Sequence, residues 1–431
     1  MEFARSVRRA RVLAAIVGSA AVVPATVLAQ FVEPNVRVLY TLTSDEPGDG
    51  FGFVADAIGD LNGDGASEIA IGAPRNNAAG PLAGKIFVYS GRDGTLLNTV
   101  LGLPFDRIGH GVAGVGDVNL DGVADYAAGG PGPLPVTGLA SNGRLLVISG
   151  ATHTTLIDKE GPVLQSFFGY DVAAAGDIDG DGHGDIMVGA PFHFVGGAVT
   201  GSVQFVSGKD GATLRSVHSP APGVAFGSAV ASVADQDQDG KPDHAVGAPD
   251  AGKARGGLAY VLSSRNGEII RTLKPKQASA QQFGDFFVHD AGDIDADGTG
   301  DIFVADYADA AAGQGSGLGY VFYGGRDDRR LFRPEVPGDG FGPGRGAGDV
   351  NGDGHDDLVI AAYRSNAGAP LGGKMFVISG RDWKVIRAAT GSVPGALLGF
   401  DALAVGDVSG DGRIDFLLTG GSVAHLILGN P

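Results

Sequence analysis

A nine-residue acidic segment recurs seven times along this chain at a nearly constant spacing. Its frame is acidic-x-polar-x-acidic-Gly-x-x-acidic, and it begins at Asp60, Asp117, Asp177, Asp235, Asp293, Asp349 and Asp407. The intervals are 57, 60, 58, 58, 56 and 58 residues. A fixed period of this kind indicates a repeat architecture in which each repeat is one supersecondary unit.

Each acidic segment has the same surroundings. An apolar-Gly pair stands before it, with the apolar residue at Phe51, Ile108, Phe168, Phe226, Phe283, Phe341 and Leu398. A short apolar run follows, which closes in Gly-Ala-Pro in several repeats, and a run such as KIFVYSG, SVQFVSG or KMFVISG comes about 15 residues later. A turn such as RDG or KDG then leads to another run. Short runs bounded by Gly, Asn and Asp predict strands and hairpins, so the unit is four strands of one sheet.

Seven such units predict an all-β fold, a seven-bladed β-propeller of four-stranded blades. A linear β-solenoid is the structural alternative, although its coils are usually shorter. The last repeat stops after its third strand, near SVAHLILG, while the segment VRVLYTLTS at residues 36–44 precedes the first repeat. We predict that this N-terminal strand completes the last blade, because the pairing removes an exposed sheet edge.

The apolar-Gly pair, the acidic segment and Gly-Ala-Pro together resemble FG-GAP repeats, as in the N-terminal β-propeller of integrin α subunits. The resemblance covers residues 36–429, with repeats starting near 51, 108, 168, 226, 283, 341 and 398. Repeats five, six and seven have VADY, IAAY and LTGG where Gly-Ala-Pro would stand. The resemblance implies calcium in the loop between the first and second strands of many blades. It also implies that the face opposite these loops meets a ligand, although no integrin ligand residue matches here.

Residues 1–29 differ from the rest of the chain. Arg5, Arg8, Arg9 and Arg11 precede an apolar run at residues 12–23, and Val27-Leu28-Ala29 is similar to a signal-peptide cleavage site. We therefore predict a signal peptide at 1–29 and a single propeller at 30–431, without a transmembrane segment in the mature chain. The expected location is outside the cytoplasm: extracellular, cell-surface or periplasmic. The chain has no cysteine, so disulfides cannot stabilise an exported fold.

The acidic segments predict metal sites, because three carboxylates within about 4 Å repel one another unless a cation lies between them. The candidate side chains are oxygen donors without sulfur, which favours a hard cation; calcium is expected at up to seven sites, and magnesium, which requires stricter geometry, is less favoured. Glycine at position six permits the backbone turn. The predicted ligands are Asp60, Asn62, Asp64 and Glu68; Asp117, Asn119, Asp121 and Asp125; Asp177, Asp179, Asp181 and Asp185; Asp235, Asp237, Asp239 and Asp243; Asp293, Asp295, Asp297 and Asp301; Asp349, Asn351, Asp353 and Asp357; and Asp407, Ser409, Asp411 and Asp415.

The seven predicted sites differ in strength. Repeats three, four and five carry four carboxylates each and should bind best, whereas Ser409 makes the seventh site the weakest. Glu68 is longer than the aspartate at the same position elsewhere. The alternative is that the segments are solvated acidic turns. The ligand set contains 24 of the 49 acidic residues, which leaves 25 against 31 basic residues, so the net charge of −18 reflects local coordination chemistry.

The sequence predicts no catalytic residue. It contains no nucleophile elbow, no His-Glu-x-x-His and no phosphate-binding glycine loop. The predicted function is a non-catalytic adhesion or ligand-binding module with a protein or polysaccharide partner on the face opposite the calcium loops. The alternatives are a structural envelope protein and a hydrolase or lyase with a pocket at the propeller channel. No nucleic-acid partner is expected, because the chain is acidic and its basic residues are dispersed along the sequence.

Overall fold

The computed structural model describes residues 31–133, 141–195, 198–252, 256–277 and 279–429. This part of the chain contains thirty β-strands and no helix. Twenty-eight strands form seven four-stranded antiparallel sheets, and the other two form a short hairpin. The predicted all-β, seven-bladed propeller is confirmed. The predicted signal peptide at residues 1–29 lies outside the described residues.

In each blade the strands follow one another from the central channel to the rim. Blade one contains β2 (Ala55–Ala57), β3 (Ile69–Ala73), β4 (Lys85–Tyr89) and β5 (Leu96–Leu101); blade two contains β6 (Gly111–Gly116), β7 (Asp125–Gly130), β8 (Arg144–Ile148) and β9 (Thr155–Glu160). Blade three contains β10 (Val172–Gly176), β11 (Asp185–Ala190), β14 (Ser202–Val206) and β15 (Thr213–His218), with the hairpin β12 (Phe194–Val195) and β13 (Ala198–Val199) between its second and third strands.

The remaining blades repeat this order. Blade four contains β16 (Val230–Val233), β17 (Asp243–Ala248), β18 (Leu258–Leu262) and β19 (Ile269–Leu273); blade five contains β20 (Val288–Gly292), β21 (Asp301–Asp306), β22 (Leu318–Phe322) and β23 (Arg329–Phe332). Blade six contains β24 (Phe341–Gly348), β25 (Asp357–Ala362), β26 (Lys374–Ile378) and β27 (Val385–Thr390); blade seven contains β28 (Ala402–Gly406), β29 (Asp415–Thr419), β30 (Val423–Ile427) and β1 (Val38–Thr43).

The ring closes through the first strand of the chain. β1 pairs antiparallel with β30, and its register places Thr41 opposite His425 and Leu42 opposite Ala424. The hydroxyl of Thr41 lies 3.0 Å from Nδ1 of His425, which adds a side-chain hydrogen bond to the backbone ladder. The prediction that residues 36–44 complete the last blade is confirmed.

Strand composition follows from position in the blade. Every residue of β3 and β4 is buried, because both faces of these middle strands pack against neighbouring blades. Strands that are buried on both faces have continuous apolar sequences. β5 exposes both its ends and only half-buries its centre, because it lies at the rim. In each repeat the apolar runs thus form the buried middle strands, and the more polar run forms the strand at the rim.

The apolar core lies between consecutive blades. Phe226 of blade four is fully buried and belongs to one cluster with Phe205 and Val203 of blade three. Burial of a large apolar side chain contributes about 1.5–3 kcal/mol. The blades are therefore stabilised by their neighbours in the ring.

The glycine of each apolar-Gly pair allows close contact between blades. Gly227 has φ +94°, and a Cβ built there would lie 2.4 Å from the carbonyl oxygen of Ser202. Gly247, the glycine of one Gly-Ala-Pro, faces the next apolar-Gly pair, and a Cβ there would lie 1.8 Å from the oxygen of Gly284. The two glycines of the repeat thus permit backbone-to-backbone packing that side chains would prevent.

Candidate metal centres

Each acidic segment forms the loop between the first and second strands of its blade. In blade three the loop starts at Asp177, directly after β10, and its last ligand position, Asp185, is the first residue of β11. The turn between the third and fourth strands lies on the same face, because Asp185 Oδ1 accepts a hydrogen bond from the Gly208 N–H at 3.1 Å. We call this the loop face and the other the opposite face.

The first aspartate of the loop folds the backbone around itself. In blade three, Asp177 Oδ1 accepts hydrogen bonds from the N–H groups of Gly180 at 2.7 Å and Asp181 at 3.1 Å, while Oδ2 accepts one from Gly182 at 3.0 Å. Gly182 has φ +91°, a conformation that glycine adopts without strain. Blades one, six and seven show the same three hydrogen bonds. The loop is therefore held in shape by its own peptide groups.

The ninth position joins the loop to the rest of the blade. Asp185 is fully buried, and Oδ2 accepts a hydrogen bond from the Ile178 N–H at 2.9 Å in addition to the bond from Gly208. Burial raises the pKa of this carboxyl, and it raises the pKa of Asp301, at the same position of blade five, to about 7. A buried carboxylate that keeps its charge requires a nearby positive group.

Four of the seven loops gather three carboxylates, with ligand oxygens within 4.8 Å of one another. Among the described residues these groups are Asp60, Asp64 and Glu68; Asp177, Asp179 and Asp185; Asp235, Asp237 and Asp239; and Asp293, Asp295 and Asp297. The longer Glu68 thus reaches the other carboxylates of its loop. The third position is neutral in blades two, six and seven, at Asn119, Asn351 and Ser409, and also in blade one, at Asn62, where Asp60, Asp64 and Glu68 form the group.

The donor set fits a hard cation. All side-chain donors in the four clusters are carboxylate oxygens, the ligand type that calcium takes in proteins. Oδ1 of Asp295 is buried and accepts no hydrogen bond, so it remains available to a cation. His183 and His355, at position seven of two loops, point elsewhere: their Nδ1 atoms lie 2.6 Å from the Val118 oxygen and 2.9 Å from the Ile294 oxygen. Their imidazoles tie adjacent loops together and leave the donor set oxygen-only.

Basic residues of the neighbouring turns partly balance these loops. Arg92 Nε lies 3.5 Å from Asp64 Oδ1, and Lys209 Nζ lies 3.4 Å from Asp181 Oδ2. Arg326 contacts Asp295 in blade five. One cationic side chain faces three or four carboxylates in these loops, so most of the repulsion among the acids remains.

Comparison with known protein families supports the interpretation of these units as FG-GAP repeats. The family model described as FG-GAP repeat matches residues 53–89, 168–206, 226–262 and 341–373. The chain carries FG-GAP repeats. Blades two, five and seven lie outside the matched segments but have the same fold and loop, with Ile108 and Leu398 in place of the phenylalanine in two of them.

Integrin α subunits are similar to this FG-GAP chain over part of its length. Integrin alpha-V from Gallus gallus is 31% identical over 212 residues, which cover 46% of this chain and 20% of that protein. Integrin alpha-5 from Xenopus laevis is 32% identical over 206 residues, covering 44% and 19%. The match therefore spans about a fifth of those relatives. A crystal structure of BBS1N in complex with ARL6DN has a TM-score of 0.57 at 9% identity, covering 91% of this chain and 96% of that one, and so shares the fold.

The channel of the FG-GAP propeller contains a largely buried charge network that the repeat pattern did not predict. Nη2 of Arg345 on β24 lies 2.7 Å from Oδ1 of Asp401, and its Nη1 lies 3.7 Å from Oδ1 of Asp56 on β2. Asp171, just before β10, also lines the channel. Burial raises the pKa of Asp56 and raises that of Asp171 to about 7. The network thus contains one guanidinium and three carboxyl groups.

The channel carboxylates also pair with backbone donors of adjacent blades. Oδ2 of Asp401 accepts from the Ala55 N–H at 3.0 Å, Oδ2 of Asp56 from Gly114 at 3.0 Å, and Oδ2 of Asp171 from Val230 at 2.9 Å. Each inner strand has a hydrogen-bonded neighbour on one side only, so its other edge needs such partners. The signal in the sequence was a charged residue four to six positions before the acidic loop, in or directly before an inner strand of mostly small and apolar residues.

Aromatic rings from five blades close the channel toward the opposite face. The ring centroid of Phe53 lies 4.7 Å from that of His110, 5.8 Å from Phe286 and 5.9 Å from Phe400. Tyr170 lies 4.5 Å from His110 and 5.4 Å from Phe286. Burial lowers the pKa of His110 to about 3, so this imidazole is neutral and packs as part of the plug. Below the rings lies a cavity of about 250 Å³ that the charge network lines.

Proposed function

We propose that this chain is an exported calcium-binding propeller that serves as a non-catalytic adhesion or ligand-binding module, with structural calcium in its blade loops. The observation that carries the calcium assignment is the convergence of three carboxylates in each of four loops. The similarity to integrin α subunits supports the binding role and the extracellular location. No helix long and apolar enough to cross a membrane occurs among the described residues.

Calcium would be held by positions one, three, five and nine of each loop, in the residues predicted from the sequence. When bound, the ion supplies positive charge that offsets the repulsion among the carboxylates. The protein supplies the shape of the loop, since peptide groups already fix the first and ninth positions. Blades one, three, four and five, with three gathered carboxylates each, are the strongest candidates.

Calcium titration tests this proposal. Calcium at about 100 times its dissociation constant stabilises a protein by about 2.7 kcal/mol per site, so the melting temperature should rise strongly from EDTA to calcium. Calorimetry should show several binding equivalents. Asp179→Ala should remove or weaken one of them, whereas Glu160→Ala, at an exposed acid outside the loops, should not. Equal melting in calcium and EDTA with no binding heat would contradict the proposal.

The partner surface is assigned to the opposite face. Leu103, Leu164 and Val336 follow the outer strands of blades one, two and five on this face and are 58%, 56% and 54% exposed. Large apolar side chains held exposed on loops over a rigid scaffold commonly contribute to binding. These residues lie on the face that the resemblance to integrin α subunits implies for ligand binding.

Partner capture tests this surface. The immobilised chain in calcium, exposed to extracellular and envelope material of its source, should retain a defined protein or polysaccharide that EDTA releases. Leu103→Ser with Leu164→Ser should abolish retention without changing the melting temperature. Leu96→Ser is the matched control, because Leu96, the first residue of β5, is 49% exposed at the loop-face end of blade one and lies outside the acidic loops. Self-assembly without a separable binding patch would instead favour the structural envelope alternative.

The channel supports one second candidate, a hydrolase or lyase. Its basis is the cavity of about 250 Å³ in which Asp171, with a pKa raised by burial to about 7, lies near Arg345. A carboxyl that titrates near neutral pH suits general acid or base chemistry. Against it, the aromatic plug closes one mouth, and each carboxylate already accepts a backbone hydrogen bond. Turnover of ester or glycoside substrates that is lost in a folded Asp171→Asn variant would support this candidate.

A further inference from the structure

A groove runs along the rim of the propeller between blades four and five. It lies between β19, the outer strand of blade four, and the outer hairpin of blade five formed by β22 and β23. Its volume is about 720 Å³. Four basic side chains line it: Arg271, Lys274, Arg326 and Arg329.

The groove concentrates positive charge on an acidic protein. Residues 265–276 and 326–333 together contain eight Lys and Arg and three acidic residues, whereas the whole chain has a net charge of −18. Arg271 lies on β19 and Arg329 on β23, so the two come from the outer strands of consecutive blades. Basic residues that are dispersed along the sequence are thus brought together at one rim position.

These cations are positioned but largely unneutralised. Arg271 donates hydrogen bonds to Gln236 Oε1 at 3.2 Å and to the Arg326 carbonyl oxygen at 2.6 Å, which orient its guanidinium. Nε of Arg329 is buried without a hydrogen-bond partner. Within the described parts of the chain, Arg326 pairs with Asp295, whereas Arg271, Lys274 and Arg329 form no ion pair. The acidic side chains that line the groove are Asp237 and Asp327.

We propose that this groove binds an acidic polysaccharide through its carboxylate or sulfate groups. Guanidinium and ammonium groups recognise such oxyanions by charge-assisted hydrogen bonds. Arg271 and Lys274 are three residues apart in an extended segment, about 10 Å at the rise of a strand. A single small anion does not span that distance, so a polymer with repeated anionic groups fits the spacing.

The lining favours a polysaccharide over other polyanions. Nucleic-acid grooves offer exposed aromatic rings on which bases stack, and the aromatic residue that lines this groove, Phe322, is buried. Protein interfaces have an apolar core, whereas Ile270 is the exposed large apolar residue among the lining side chains. The site runs along the rim from the blade-four loop, at Gln236 and Asp237, to Lys274 just after β19. It is separate from the exposed apolar residues of the opposite face and so goes beyond the proposed function.

Binding to defined polymers tests the site. The full chain in calcium is passed over immobilised heparin, which is sulfated, hyaluronate, which carries carboxylates, and neutral dextran. Heparin or hyaluronate should retain the chain and dextran should not, and retention should weaken with rising salt. Lys274→Gln with Arg329→Gln should weaken binding about tenfold, because two charge-assisted contacts to the sulfate or carboxylate groups of the polymer are lost. Arg381→Gln with Lys384→Gln removes the same charge from the blade-six turn and should change binding less than about twofold.

The comparison between sulfated and carboxylated polymers shows which anionic group is preferred, and either result supports the site. No retention on either polymer overturns it, as does an equal loss in both double variants. Tighter binding to single-stranded DNA or poly-glutamate than to both polysaccharides also overturns it. Should the groove variant unfold, Lys274→Arg with Arg329→Lys keeps the charge, and loss of binding in that folded variant would contradict an ionic site.

Discussion

Replacing Asp171 by Asn should stabilise the propeller at alkaline pH and do so much less at acidic pH. Burial in the channel wall raises the pKa of this carboxyl from its ordinary value of 3.8 to about 7. The folded state therefore holds the proton more tightly than the unfolded chain. At pH values below its pKa in the unfolded chain, the carboxyl imposes no penalty on folding. As the pH rises from that value to the pKa in the folded protein, the carboxyl lowers the free energy of unfolding.

The size of the effect follows from the pKa shift. Above neutral pH the penalty reaches the equivalent of about 3 pKa units, roughly 4 kcal/mol, and about half of it has accumulated near pH 5.5. Contact with channel water screens the charge, so these free-energy penalties are upper values. Asn cannot ionise, and its carbonyl can still accept from the Val230 N–H, while one lost hydrogen bond costs about 1 kcal/mol. The variant should therefore gain up to about 2 kcal/mol more at pH 8.5 than at pH 5.5.

Denaturant unfolding in saturating calcium at the two pH values measures this difference. Asp158→Asn is the control, because the hydrogen bonds of Arg144, 2.7 Å and 2.6 Å long, lower the pKa of Asp158. That control should destabilise the protein slightly at both pH values. The reasoning is refuted if Asp171→Asn changes the unfolding free energy equally at both pH values, or destabilises the protein more in alkali than in acid.

One deletion and two substitutions test the packing of the ring. Deleting residues 36–44 removes β1 from blade seven and should abolish the cooperative thermal transition seen by circular dichroism; a deletion that melts like the parent would contradict closure by β1. Phe226→Ala removes a fully buried ring between two blades and should cost about 3–5 kcal/mol in denaturant unfolding, so a loss below about 1 kcal/mol would argue against this packing. Arg345→Met leaves Asp56 and Asp401 without their cation and should cost about 3–5 kcal/mol at neutral pH. That loss should shrink in acid as Asp56, whose pKa is raised by burial, becomes protonated, and a pH-independent loss would count against the ion pairs.

The architecture was predictable because the order of the strands in each blade is encoded in the local sequence of its repeat. The apolar-Gly pair, the acidic loop and the two following runs recur in every blade, and the closing strand could be inferred from residues 36–44. The loops were predictable for the same reason, since Asp177 and its counterparts use donors from within nine residues. Local chemistry that is repeated seven times remains visible in a single sequence.

The channel network and the rim groove were not predictable in this way. Arg345 meets Asp401 and Asp56, which are 56 and 289 positions away in the chain, through the closed ring. Arg271 and Arg329 become neighbours only because consecutive blades stand side by side. Contacts of this kind depend on how blades face one another, and the sequence of one repeat carries little information about that.

The pairing of β1 with β30 also sets the order in which the molecule can form. Thr41 and His425 are 384 positions apart, so this seam requires nearly the whole chain to be present. The hairpins of blades one to six join neighbouring segments and can form while synthesis continues. The seam should therefore be the last pairing made as the protein folds. Until then, β1 is an unpaired strand beside an open ring, and it is at that stage that the chain is most exposed to pairing with another copy of itself.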